Sequence, residues 1–327
     1  MSNEVVVGVD IGGTKTAVVL SSRPPAVLNR IVFPTLPAEG PTRALKQIVL
    51  GIREALSIQQ VELNNLAAIG ISCGGPLDPL AGVIQSPPNL LSWNEVPIKT
   101  LLEKEFDVEC FLENDANAGA LAEYQFGAGR GVDNLVFLTM GTGLGAGLIL
   151  NGQLYRGSSY AAGEIGHVRL TRSGPNGYGK VGTAEGWASG AGMAKVARMA
   201  LDEAALRGET TVLTSSNGVT LTAQRIWEAA RSGDAVAGKV VETCGRKLGE
   251  AIAILIDILN PDRIIVGGLA VRMGEALLGP AREIADREAL PSAYKACEIV
   301  PAELGEEIGD VAALCVAMRE VKIGSNS

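Results

Sequence analysis

The chain is poor in the residues that usually carry metal, redox or nucleic-acid chemistry. Of 327 residues one is histidine (His167), five are cysteine and 4% are aromatic. The cysteines (Cys73, Cys110, Cys244, Cys297 and Cys315) are scattered, with no CxxC pair and no regular interval. They read as reduced thiols of a cytoplasmic protein and not as a disulfide framework. Long apolar runs are missing as well. The best of them, "AIAILIDILN", is broken by Asp257 and is about half the length a membrane span needs. The opening "MSNEVVVGVD" sets Glu4 and Asp10 around five residues, too short and too acidic for a signal peptide. Basic residues are outnumbered, 28 Lys and Arg against 36 Asp and Glu, for a net charge of −8. Such a field repels phosphate backbones before contact. The expectation is a cytoplasmic protein with small-molecule partners, engaging neither nucleic acid nor membrane.

What the sequence does have is length and apolar content. At 47% hydrophobic over 327 residues it can fill about two cores. "EVVVGVDIGGTKTAVVLSS" is two β-branched runs joined by Gly-Gly-Thr, which predicts a hairpin. A Rossmann or Walker loop needs a helix directly after its glycines, and "TAVVL" is a strand sequence, so both are excluded. "PTRALKQIVLGIREALSI" has helical spacing, "LAAIGISCGGPLD" a buried strand and turn, "VPIKTLLEKEF" a short amphipathic helix, and "VECFLEND" a strand opening the helix "ANAGALAEYQFG". Strands alternating with helices predict an α/β sheet.

The same logic then restarts. "NLVFLTMGTGLGAGLILNGQLYRG" reads as strand, glycine turn Gly141–Gly147, return strand and further hairpin, a loose internal repeat. Helices follow in "AKVARMALDEAA", "TAQRIWEAARSG" and "VAGKVVETCGRKLGEAIAILIDIL". "PDRIIVGGLA" is a buried strand ending in Gly-Gly, "RMGEALLGPAREIADRE" one helix beyond it, and "DVAALCVAMREV" the last helix. Two related lobes with a cleft between them are expected. The first spans residues 1–113, joined by a C-terminal helix at about 310–327 packing back on it; the second spans 114–309, with a hinge near Asn114.

Three glycine turns at strand ends, "DIGGTK", "GTGLGAG" and "VGGLA", can each bring backbone N–H groups to an anion. A pair of glycines at a strand end is also an ordinary tight turn. Together they suggest one ATP site, with Gly12, Gly13, Thr14, Lys15, Thr142 and Gly143 at the phosphates and Gly267 and Gly268 at the adenosine. Asp115 in "ENDAN" ends a strand and starts a helix, where a carboxylate serves either as a catalytic group or as an N-cap. Glu164 is a site residue or a hairpin surface charge, and His167 a ligand or a satisfied turn histidine.

"VGVDIGGTK", "PPNLLSW", "ENDANAGALAE", "GTGLGAGLILNGQLYRG", "AGEIGH" and "NPDRIIVGG", in this order and spacing, resemble the ROK family of sugar kinases and repressors over almost the whole chain. The resemblance implies α/β architecture with two actin-like (ribonuclease-H-like) lobes and a homodimer. It also implies ATP with Mg²⁺ as cofactors, and Asp115 as the general base that takes the proton of a sugar hydroxyl attacking the γ-phosphate. Carried over position by position, it makes Gly75, Asn89, Asn114, Asp115, Glu164, His167 and Glu185 the sugar ligands. Carboxylates and amides suit a polyol because each fixes two hydrogen bonds in one plane.

The family's zinc motif, C-x-C-G-x-x-G-C-x-E with the histidine of "GEIGH" as fourth ligand, falls on "NGYGKVGTAE". Asn176, Tyr178 and Thr183 stand at the three cysteine positions. Such a donor set does not make a zinc site, so no zinc is expected, and Tyr178 and Trp187 are candidates to hold the loop by packing. The implied activity is hexose phosphorylation, glucose at its 6-hydroxyl first and N-acetylmannosamine second. A sugar-binding protein without catalysis is a third reading. A repressor is disfavoured because the first strand, from about Glu4, leaves no room for a DNA reader ahead of it.

Overall fold

The computed structural model describes residues 4–213 and 220–318. The chain forms two compact units, divided after Gly127 and after Gly305.

In the first unit β1 (Val5–Ile11) turns back through Gly12–Thr14 into β2 (Lys15–Ser21), which pairs with β3 (Asn29–Pro34). The amphipathic α1 (Pro41–Ile58) leads to β4 (Leu66–Cys73), parallel to β1. A small hairpin, β5 (Leu77–Asp78) and β6 (Val83–Ile84), and α2 (Ile98–Phe106) precede β7 (Glu109–Asn114), parallel to β4. The sheet order is β3-β2-β1-β4-β7, and β7 runs straight into α3 (Asp115–Phe126).

The unbroken "VVV" of β1 follows from burial on both faces. Val5, Val7 and Val9 join Ile48 and Ile52 of α1 in one core, while Val6 joins Leu314 on the other face. Full burial of such a side chain contributes about 1.5–3 kcal/mol. β3, alternately half-buried and exposed, is the edge.

The second unit repeats this plan. β8 (Leu135–Met140), β9 (Leu144–Leu150) and β10 (Gln153–Tyr155) form an antiparallel meander. A short hairpin of β11 (Asn176–Gly177) and β12 (Lys180–Val181) follows, then α4 (Ala184–Ala188), α5 (Gly190–Arg207), α6 (Ala223–Arg231) and α7 (Ala235–Leu259). β13 (Arg263–Val266), α8 (Leu269–Met273), α9 (Glu275–Glu288), α10 (Pro291–Ala296) and β14 (Glu298–Pro301) complete it. The order β10-β9-β8-β13-β14, with β8, β13 and β14 parallel, matches the first sheet strand for strand.

The last helix, α11 (Ile308–Ala317), belongs to the first unit. All residues from Val311 to Ala317 are buried, as expected of a helix that is apolar on every side. It lies so close to β4 that a Cβ on Gly70 would stand 2.2 Å from the Ala317 nitrogen and 2.3 Å from the Ala313 oxygen.

Several expectations change. The first division falls after Gly127, not Glu113, because α3 packs within the first unit against α11. The chain therefore leaves that unit at Gly127 and not at Asn114, where the hinge was expected. The second division falls at Gly305, four residues before the expected 309, and the part of the C-terminal helix beyond Met318 lies outside the described residues. The turn read as Gly141–Gly147 ends at Gly143, since Leu144–Gly147 already pairs with β8. The single helix expected after β13 is two, parted at Gly274 with φ +53°. All five cysteines are buried and unpaired. Among the described residues no helix is long and apolar enough to cross a membrane.

Candidate active site

In the first unit β1, β4 and β7 run parallel with Ile11, Cys73 and Asn114 level at their carboxyl ends. Ligands of open α/β sheets bind beyond such ends, and here the chain continues as Gly12–Gly13, Gly74–Gly75 and Asn114–Asp115. The first turn is pinned: the Gly12 N–H donates to the Lys15 carbonyl at 3.0 Å, the Thr35 hydroxyl to the Gly12 carbonyl at 2.7 Å and the Thr35 N–H to the Thr14 carbonyl at 3.1 Å. Asn89 sits directly on it, since a Cβ on Gly13 would lie 2.9 Å from the Asn89 Cβ.

At the β7–α3 junction the cap is Asn114 and not Asp115. The Asn114 Oδ1 accepts from the Ala116 N–H at 3.0 Å, while Asn114 Nδ2 is 3.2 Å from where a Gly75 Cβ would be. Asp115 shares the Ala116 N–H through Oδ1 at 2.8 Å, and its Oδ2 faces Gly74. Beneath them the buried Glu113 carboxylate accepts from the Asn114 N–H at 3.1 Å and the Asn117 amide at 3.0 Å. The five expected residues Gly13, Gly75, Asn89, Asn114 and Asp115 thus flank one sheet edge.

Solvent reaches Asp115, but the surrounding protein pushes its carboxyl above the ordinary value, and the Ala116 and Asp115 amides pull it back. The upward push favours the protonated form and so makes the carboxylate a stronger base than an ordinary one. Asp10, the last residue but one of β1, was not assigned a role from the sequence. Its carboxyl is pushed up to about 6, first by burial, then by the negative charges of Asp115 and Asp310, with Lys15 and Arg30 opposing. Arg30 is itself engaged by Asp310 at 2.5 Å. The signal was present in the sequence: a lone acid ending a wholly apolar β-branched run.

In the second unit the turns after β8 and β13 meet, because Gly268, at φ +63°, leaves only 2.2 Å between a Cβ and the Met140 oxygen. The first turn of α5 rests on the same place, the Gly190 N–H donating to the Gly141 carbonyl at 2.8 Å and the Ala191 N–H to Thr142 at 3.1 Å. Thr142, Gly143, Gly267 and Gly268 are therefore one group. Glu185 joins it: its Oε2 accepts from the Leu144 N–H at 3.2 Å and would lie 2.8 Å from a Cβ on Gly143. Glu164 is exposed and opens the 3-10 turn Ile165–His167, whose Gly166 stands against the Glu185 side chain at 3.3 Å from a built Cβ. His167, exposed, meets Tyr178 edge-on with ring centres 6.1 Å apart.

The three side chains at the cysteine positions do not fit zinc. The buried Thr183 hydroxyl accepts from the Gly186 N–H at 3.1 Å as the N-cap of α4. Tyr178 sits at φ +49° in the two-residue hairpin turn and is 63% exposed. Asn176 is exposed, and no residue of the set offers a thiolate. Among the described residues no group of three or more His, Cys, Asp or Glu side chains could hold a metal ion. Trp187 does brace the loop, its indole N–H donating to the Thr171 hydroxyl at 2.8 Å.

Duplicate sheets with glycine turns beyond their parallel strands define an α/β protein of the actin-like class. The ROK family model matches residues 6–320, and the chain belongs to that family. It is similar to the glucokinase of Halalkalibacterium halodurans, 33% identical over 94% of this chain and 93% of that one. It is also similar to the xylose repressor of Caldicellulosiruptor bescii, 27% identical over 96% of this chain and 77% of the repressor. Among solved structures, the ROK hexokinase of Thermus thermophilus superposes with a TM-score of 0.80 at 30% identity, over 98% of this chain and 100% of that one. A ROK glucokinase of Streptomyces griseus, in complex with glucose and AMPPNP, gives 0.76 at 32% identity over 96% and 99%.

Proposed function

We propose that this protein is an ATP-dependent sugar kinase that phosphorylates a hexose, glucose at its 6-hydroxyl first among them. The observation that carries the reading is Asp115, set by the Asn114-capped start of α3 at the carboxyl ends of β1, β4 and β7, on the same edge as the Gly12–Gly13 turn. The glucokinase and hexokinase relatives support the reaction class.

In this reading Asp115 takes the proton of the sugar hydroxyl as its oxygen bonds the γ-phosphorus, and the bond to the bridging oxygen breaks to release ADP. The transition state is loose, so the proton moves late and a carboxylate is base enough; such catalysis contributes about 10²–10⁴-fold. Gly12 closes the turn through its N–H on the Lys15 carbonyl, Gly13–Lys15, with Thr142 and Gly143, supply donors for phosphate oxygens, and Gly267 and Gly268 receive the adenosine. Asn89, Asn114, Glu164, His167 and Glu185 bind sugar hydroxyls, with Gly75 adding backbone.

Mg²⁺ fits this chain, because it is bound by one or two carboxylates plus substrate phosphates, and Asp10 is a carboxylate crowded by like charge. Asp10 would hold it, and the ion when bound supplies charge neutralisation at the phosphates.

The test is ADP release coupled to sugar consumption across a panel of hexoses and N-acetylhexosamines, N-acetylmannosamine included. Stoichiometric ADP and sugar phosphate with glucose is the expected result. Turnover confined to an N-acetylhexosamine moves the substrate, and sugar binding without turnover on any member removes the kinase assignment.

A further inference from the structure

The tip of the 176–181 hairpin carries no metal ligands, yet it has a defined seat. Its base is paired through backbone: the Leu170 N–H donates to the Gly182 carbonyl at 2.8 Å and the Ala184 N–H to Val168 at 2.8 Å. Two lysine ammonium groups reach the elements around the tip. Lys180, in β12 of the hairpin itself, donates to the His167 carbonyl at 2.9 Å. Lys195, on α5, donates to the Asn176 carbonyl at 2.5 Å. Both side chains are on half-buried residues.

These bonds link three elements. The 3-10 turn bearing His167 is tied to β12, β11 is tied to α5, and the first turn of α5 rests on the Gly141–Thr142 turn. A hydrogen bond from an ionised donor is about twice as strong as a neutral one. Both bonds lie at the solvent-exposed surface, where water screens the ammonium charge, so each serves as a tether on a backbone carbonyl, and with it on the residue that carries the carbonyl.

We infer that Lys180 is a positioning residue, holding His167 through its carbonyl in the orientation that serves the sugar, and that Lys195 anchors the opposite strand of the same hairpin. The pair does by charge-assisted hydrogen bonds what thiolate–zinc bonds would do in a loop with three cysteines at 176, 178 and 183. The inference rests on the kinase reading for its kinetic consequence but not for its structural one.

Lys180→Met, Lys180→Arg and Lys195→Met, made in the full chain, separate these. Steady-state kinetics on the panel sugar that wild type turns over best should give Lys180→Met a sugar KM raised roughly tenfold, with kcat and the ATP KM within about twofold. Lys180→Arg, which keeps the donor, should recover most of the loss. Lys195→Met should shift the same constant by a smaller factor. Hydrogen exchange, read without any substrate, should speed up by about tenfold at the Val168 and Lys180 amides in Lys180→Met, with melting temperature close to wild type. An unchanged sugar KM in Lys180→Met, or equal losses in kcat and in both KM values, overturns the positioning role. Unchanged exchange overturns the clamp even if no sugar is turned over, whereas a wild type inactive on the whole panel overturns only the kinase reading.

Discussion

Asp10 and Asp115 stand at the ends of β1 and β7 on one edge of the first sheet, and the charge of Asp115 is among the causes that hold the Asp10 carboxyl up to about 6. A carboxylate that is buried first and crowded by like charge second is a cost to the fold that a bound cation would relieve.

Replacing Asp10 by Asn should make that cost visible. A carboxyl at about 6 in the fold against an ordinary 3.8 binds more protons folded than unfolded, so it costs the fold nothing below pH 4 and destabilises it progressively as pH rises through 6. The full cost is on the order of 3 kcal/mol. Urea unfolding should therefore show Asp10→Asn as stable as wild type near pH 4 and more stable at pH 8, while its turnover falls. Parallel stability curves across that range would show that Asp10 carries no such burden.

Asp115 and Asn114, adjacent in sequence, should separate function from stability. Asp115→Asn leaves the Asn114 cap on the Ala116 N–H, so stability should change little while kcat drops by about 10²–10⁴-fold and sugar affinity holds. Asn114→Ala loses the cap and should cost about 0.5–2 kcal/mol. Near wild-type turnover in Asp115→Asn removes it from the base role.

The difference between those two neighbours also marks what the sequence could reveal. "ENDAN" located the junction and, with it, the end of β7, while continuous apolar runs located β1, β2, β4 and β8, because both faces of these strands are buried and periodicity is lost. Which of two adjacent polar residues caps the helix depends on backbone angles at one position, and only the structure supplies them. Asp10 was legible as an acid after "VVVGV", but its burial and most of its charge environment, from Asp115, Asp310 and Arg30, come from residues distant in the chain. The short strands β11 and β12 escaped notice because two residues carry no alternation. Their turn is marked only by Tyr178 and Gly179 at φ +49° and +75°, the pairing typical of a type I′ hairpin.

Gly70 should be the least replaceable residue of the first unit's core. Its missing Cβ is the space occupied by the backbone of α11 at Ala313 and Ala317, which no rotamer change can clear. Gly70→Ala should cost at least about 3 kcal/mol, at the upper end of overpacking effects, and denaturant unfolding will register it. A loss below 1 kcal/mol would mean that α11 shifts freely along β4.

The loop from Arg172 to Gly190 should prove indifferent to chelation. Zinc binding requires donors free to turn toward one point, and here Thr183 is committed to capping α4 while Tyr178 lies edge-on to His167. Protein purified without chelator should contain far less than one zinc per chain, and EDTA should leave the melting temperature and sugar KM unchanged. Changing Thr183 to Cys should not recruit the metal. It should cost about 1 kcal/mol through loss of the cap and raise the sugar KM, because α4 is what carries Glu185 to the Leu144 N–H. Stoichiometric zinc in the wild type, or a melting transition lowered by EDTA, would mean that the loop closes on a metal through other ligands, and would transfer the task assigned here to Lys180 and Lys195 back to that metal.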